Sequence, residues 1–89
     1  MAYESLQWLK TVETAYGSLE SFDDARTVRI MMGMAEKDLA YASGSDGAFE
    51  GHPALKAEWA ADNASEIEAL KGLTSGLTRW LERNSSNAS

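Results

Sequence analysis

The chain is expected to fold as an all-α domain, a bundle of three helices. Three observations carry that expectation. Apolar residues recur at 3.6-residue spacing in three separate stretches, about 3–19, 22–42 and 53–83. A glycine- and serine-rich segment, "SGSDGAFEGHP", separates the second stretch from the third. No stretch alternates apolar and polar residues as a half-buried strand would.

In the first stretch Trp8, Leu9, Val12, Ala15, Tyr16 and Leu19 fall on one face at about 100° per residue, with Gln7, Lys10, Thr11 and Thr14 opposite. Gly17 weakens its last turn, and Ser18–Ser21 connect to the next helix. "SFDD" reads as a helix start, with Ser21 as cap and Asp24 completing a capping box. The second helix carries Ala25, Val28, Met31, Met32, Ala35, Leu39 and Ala42 on its main face, and a second apolar line of Ile30, Met34 and Tyr41. A helix apolar on so much of its circumference belongs at the centre of its assembly. Its methionines read as adaptable core filler. The loop 43–52 ends this helix, and Pro53 is suited to the first position of the next one. Phe49 is the one large apolar residue of the loop and is expected to fold back over the core.

The third stretch, 53–83, places Leu55, Trp59, Leu70, Leu73, Leu77, Trp80 and Leu81 on one face. Unbroken, it would be about 45 Å long. Ser65 and Glu68 form an internal capping-box pattern, so a kink near residues 62–66 is the alternative to the continuous helix that the apolar face favours. Residues 84–89, "NSSNAS", are expected to be a frayed tail, leaving 1–83 as a single domain.

Gly72 and Gly76 lie inside this patterned helix, where each costs about 1 kcal/mol against alanine. With Ala61, Ser65 and Ala69 they form a line of small residues to one side of the leucines. Such a line admits close helix–helix approach, so Ala69, Gly72 and Gly76 are the expected site of tight packing, within the chain or across a homo-oligomer. Apolar residues on two sides of helices 2 and 3 favour a homodimer that completes the core.

The chain has 89 residues, no cysteine and a formal net charge of −6. Disulfides, thiol catalysis and zinc–thiolate sites are therefore excluded. The acidic balance argues against direct binding of nucleic acid and is compatible with a basic protein partner or with solubility alone, the ordinary reading of such a charge. No apolar run is long enough to span a membrane, and no secretory leader pattern is present, so the expected location is cytoplasmic. The Asn-x-Ser sequons at Asn63, Asn84 and Asn87 then read as coincidental.

Candidate chemistry is sparse. His52 is the single histidine and has no spaced partner, so no catalytic residue, metal site or cofactor is assigned. Glu58, Asp62 and Glu66, four residues apart, form a carboxylate ridge with neighbours about 6 Å apart. This ridge is the leading surface for a basic partner, against the alternatives of a solvated face or a weakly supported divalent-metal site. Arg26, Arg29 and Lys37, beside Gly33, make a second candidate surface, unless they pair with Asp23 and Glu36.

The expectation is a small, non-enzymatic protein-binding module, an inhibitor or adaptor of the bacterial or phage accessory (anti-defence) kind, that occludes a partner protein. The alternatives are a small-ligand regulatory domain with a pocket between Trp59, Tyr41 and the Asn63/Glu66 gap, or a structural subunit of a larger assembly.

Overall fold

The structure, a computed structural model, describes residues 3–88, with side chains through Asn84. Among these residues it is all-helical, with four α-helices: α1 Glu4–Tyr16, α2 Ala25–Ser43, α3 Pro53–Asp62 and α4 Ala64–Ala88. A short 3₁₀ turn, Leu19–Ser21, links α1 to α2.

The centre is the α2–α4 pair. Val28 and Ala35 of α2 pack with Leu73, Leu77 and Trp80 of α4, all fully or almost fully buried. The indole Nε1 of Trp80 donates to the Phe22 carbonyl at 2.8 Å, which ties α4 to the start of α2. Helix α1 closes one side of this pair with Val12, Leu6, Trp8 and Leu9. Phe22 stands edge-on to both Trp8 and Tyr16, with centroids 5.3 Å away in each case, so it pins the connection that turns α1 into α2.

Several element boundaries differ from those expected. Helix α1 ends at Tyr16, because Gly17 adopts φ +86° and its N–H returns to the Glu13 carbonyl. Helix α2 starts at Ala25, not Phe22. Its cap is Asp24, whose carboxylate accepts from the N–H groups of Arg26 and Thr27 and from the Thr27 hydroxyl. Ser21 belongs to the 3₁₀ turn instead. These bonds hold the Asp24 carboxyl below the ordinary range, the Thr27 hydroxyl contributing most. Gly44, at φ +73°, closes α2 in the left-handed conformation that favours glycine.

The third stretch is two helices rather than the favoured continuous one, and the break falls within residues 62–66, where the alternative placed a kink. Asn63 stands between them at φ −104° and ψ 16°, and its side-chain amide donates to the Trp59 carbonyl at 2.8 Å. An asparagine amide that competes for a carbonyl of its own helix weakens the continuing ladder. The Asn63 carbonyl still accepts from Ile67, so the chain kinks without leaving helical geometry for long. Helix α4 extends past the expected end at Arg83, to Ala88, with the Asn84 amide bonded to the Trp80 carbonyl at 2.8 Å.

The molecule is elongated, with principal extents of 45 × 28 × 15 Å and a radius of gyration of 14.7 Å. A compact chain of this length would have about 12 Å. No helix among the described residues is long and apolar enough to cross a membrane.

Candidate functional site

Helix α3 is the unusual element. None of its ten residues is buried, and Leu55 is 52 % exposed although it continues the leucine pattern of the sequence. A ten-residue helix is marginal by itself in water. What holds it is Trp59, which is half-buried. Its indole Nε1 donates to the Tyr41 carbonyl at 2.7 Å, at the end of α2. Its ring stands edge-on to Tyr41 at 5.4 Å and tilted against Phe49 at 5.6 Å. Phe49 thus folds back onto the α2–α3 junction rather than onto the central core. A Cβ on Gly44 would lie 3.0 Å from the Phe49 ring and 3.1 Å from Cγ of Lys56, so only glycine lets the loop and α3 sit this close to the end of α2. Pro53 opens α3 at its first turn, as expected.

The remaining face of α3 presents Leu55, Glu58, Ala61 and Asp62 to solvent. Negative charge is concentrated around it. Between Gly44 and Leu70 there are six carboxylates and one lysine.

The expected ridge does not survive as one line. Glu58 and Asp62 are exposed on α3, but Glu66 lies beyond the kink on α4 and is half-buried. The kink at Asn63 stands between Asp62 and Glu66. Glu66 turns inward, and its Oε2 is shut off from solvent without a hydrogen-bond partner among the described residues.

Nearby, Ser5 is fully buried and donates to Asp38 Oδ2 at 2.6 Å, linking α1 to α2. The phenol of Tyr3 is held above its ordinary pKa, mainly by burial, then by Tyr41, Glu66 and Asp38. Tyr3 also meets Tyr41 edge-on at 6.2 Å. One end of the bundle therefore gathers two carboxylates, a buried hydroxyl and two phenols. Sequence reasoning missed Ser5 and Asp38. The available signal was that Ser5 stands in register with Leu9, Val12 and Tyr16 on the apolar face of α1.

The pocket expected between Trp59, Tyr41 and the Asn63/Glu66 gap has its walls against each other. The indole N–H is spent on Tyr41, the Asn63 amide on Trp59, and the rings touch. His52 is exposed at the start of α3 and caps nothing with its side chain. Among the described residues no group of three or more metal-binding side chains is arranged around a common point.

The small-residue line divides. A Cβ on Gly76 would meet Leu19 Cδ2 at 3.3 Å, so this glycine seats the 3₁₀ turn against α4. Gly72 has nothing within 4 Å, and Ala69 is exposed. The close contact is thus with a side chain from a connecting turn, and no second helix approaches Gly72 within the chain. Arg26, Arg29 and Lys37 are exposed beside an equally open Gly33, and among the described residues they form no ion pair.

A further surface lies on the side of α2–α4 that α1 does not cover. Met32, Glu36 and Leu39 of α2 face Thr74, Thr78 and Arg79 of α4 across an open groove of about 450 Å³.

No family model, curated protein or solved structure matches the chain.

Proposed function

We propose that this protein is a non-enzymatic binding module that occludes a basic surface of a partner protein through the exposed face of α3. The observation that carries the reading is that α3 buries none of its residues. A chain that holds a ten-residue helix in place by Trp59, Phe49 and a glycine contact, and leaves Leu55, Glu58 and Asp62 in water, presents a preformed surface with an apolar point and two charges. Preorganisation of this kind lowers the ordering cost of binding. The surrounding excess of carboxylates would steer a basic partner and speed encounter. Glu66 leaves the proposed contact set because it faces inward; Glu58 and Asp62 remain and Leu55 joins them. An inhibitor or adaptor of the bacterial or phage accessory kind fits this use.

The test is affinity capture from the native source with wild-type protein and with Glu58→Gln/Asp62→Asn. A specific partner retained by the wild type and reduced about tenfold by the double variant supports the reading. Equal retention by both proteins removes α3 from the interface.

A further inference from the structure

We propose that the cleft between α4 and the α1–α2 connection binds inorganic phosphate, held by Arg79, Arg83 and Ser18 and screened by Glu20. The site is separate from the α3 surface and does not depend on the function proposed for that helix.

The cleft arises from the contact at Gly76. Leu19 sits close over that glycine, so the 3₁₀ turn lies directly on α4. Beside this contact the two elements part and enclose about 130 Å³, roughly the liquid volume of four waters. A space of that size takes one small group and not a helix, which is about 10 Å across. Its apolar lining is Leu19 and Trp80, and Trp80 is almost fully buried.

Two arginines border the cleft from α4. Arg79 and Arg83 are four residues apart, so their side chains leave the same face of the helix, where like charges repel. The chain has 14 Asp and Glu against 8 Lys and Arg, yet neither arginine forms an ion pair among the described residues. Arg79 also borders the open groove beside α2, where Glu36 is the carboxylate within reach, and it makes no ion pair there either. Nothing among the described residues therefore ties its guanidinium away from the cleft. Ser18 adds a hydroxyl from the opposite wall. Its Oγ lies 3.5 Å from Oγ of Ser21, at the outer limit of a hydrogen bond, so the O–H is free to turn to a ligand.

This donor set suits phosphate better than a carboxylate. A guanidinium engages two oxygens at once, so one arginine satisfies a carboxylate. Two arginines and a hydroxyl from two walls match the several oxygens of a tetrahedral anion. Glu20 is the remaining polar group of the cleft and stands exposed at its rim. An ionised carboxylate only accepts hydrogen bonds, so it disfavours an anion that carries no proton. Inorganic phosphate keeps a P–OH at neutral pH, which can donate to Glu20, whereas sulfate has none. A phosphate monoester, with its second pKa near about 6, has mostly lost that proton. Free phosphate is therefore the ligand that all four groups fit.

Titration with sodium phosphate at neutral pH and constant ionic strength tests the site, read from the indole N–H resonances by NMR. Trp80 lines the cleft with its N–H fixed on the Phe22 carbonyl, whereas Trp8 and Trp59 lie outside it. The Trp80 signal should shift saturably by millimolar phosphate while the other two stay in place. Arg79→Gln and Arg83→Gln should each weaken binding about tenfold or more, since each removes charge-assisted hydrogen bonds. Sulfate and O-phosphoserine should bind the wild type more weakly than phosphate, and Glu20→Gln should remove that preference by strengthening both. All three substituted residues are exposed, so the variants should fold, and circular dichroism checks this. The gain expected from Glu20→Gln keeps the test decisive if an arginine variant unfolds. No saturable shift of Trp80, or equal movement of all three indoles, overturns the proposal. So does binding indifferent to both arginine variants. Sulfate or O-phosphoserine bound by the wild type as tightly as phosphate overturns the assignment of the ligand.

Discussion

Trp59→Ala should release α3 while leaving the rest of the bundle folded. The magnitude follows from what the indole does. Two aromatic contacts, with Tyr41 and Phe49, contribute about 0.5–1.5 kcal/mol each beyond area burial. The hydrogen bond to the Tyr41 carbonyl adds about 1 kcal/mol. The combined loss, about 2–4 kcal/mol, falls on a helix that is marginal in isolation. None of it falls on the Val28–Leu77–Trp80 cluster. Helix α3 supplies ten residues of helix, so ellipticity should drop by roughly a seventh as the segment melts. Amide exchange should lose protection over residues 53–62 and retain it in α2 and α4. Trp59→Phe is the graded control, since it keeps a ring and removes the N–H, and should cost about 1 kcal/mol. If Trp59→Ala keeps full ellipticity and full protection over 53–62, something other than the indole holds α3, and the reasoning about its docking fails.

Other expectations follow from the same geometry. Glu66→Gln should stabilise the fold by about 1 kcal/mol, read as a rise of about 4–8 °C in Tm, because it removes a charged group whose buried oxygen has no partner; a loss of stability would show that the carboxylate is satisfied. Gly76→Leu should destabilise by about 1–3 kcal/mol through collision with Leu19, whereas Gly72→Ala should stabilise by about 1 kcal/mol because nothing lies near it; urea unfolding of the two variants should show opposite signs. Asp24 makes the fold sensitive to acid. Its carboxyl is held below the ordinary range in the folded state, so its contribution is complete above the unfolded pKa and is lost as pH falls through the folded one. Asp24→Asn should therefore flatten the dependence of stability on pH below about 5, measured by denaturant titration.

Much of the architecture was legible because its causes are local. Gly17, Gly44 and Pro53 mark the ends and starts of helices by backbone geometry alone, and the apolar spacing of α2 and of residues 70–81 identifies the central pair. The break at Asn63 was harder. The apolar pattern passes through it nearly in phase, and the decisive event is a side-chain amide choosing the Trp59 carbonyl. Favouring a continuous helix over a kink placed Glu66 on an outward ridge and Leu55 on an inward face. The two glycines of α4 look equivalent in sequence, and only the path of the 3₁₀ turn decides that Leu19 lies over Gly76 and not over Gly72. Ser5 and Asp38 are separated by more than thirty residues, so their pairing depends on how α1 lies against α2. The partner-facing role proposed for α3 combines both kinds of information. Its carboxylates were visible as charge, while its exposure was visible only once the helix was seen to hang from Trp59.

The most direct test of that role is site-specific photo-crosslinking in extracts of the native source. A photoreactive phenylalanine analogue replaces Leu55 on the exposed face of α3 or Gly33 on the exposed face of α2. Helix α3 as the partner-binding surface predicts a discrete, heavier adduct from position 55 that is absent from position 33 and is suppressed by Glu58→Gln/Asp62→Asn. No adduct at 55, or the same adduct from both positions, would contradict the account.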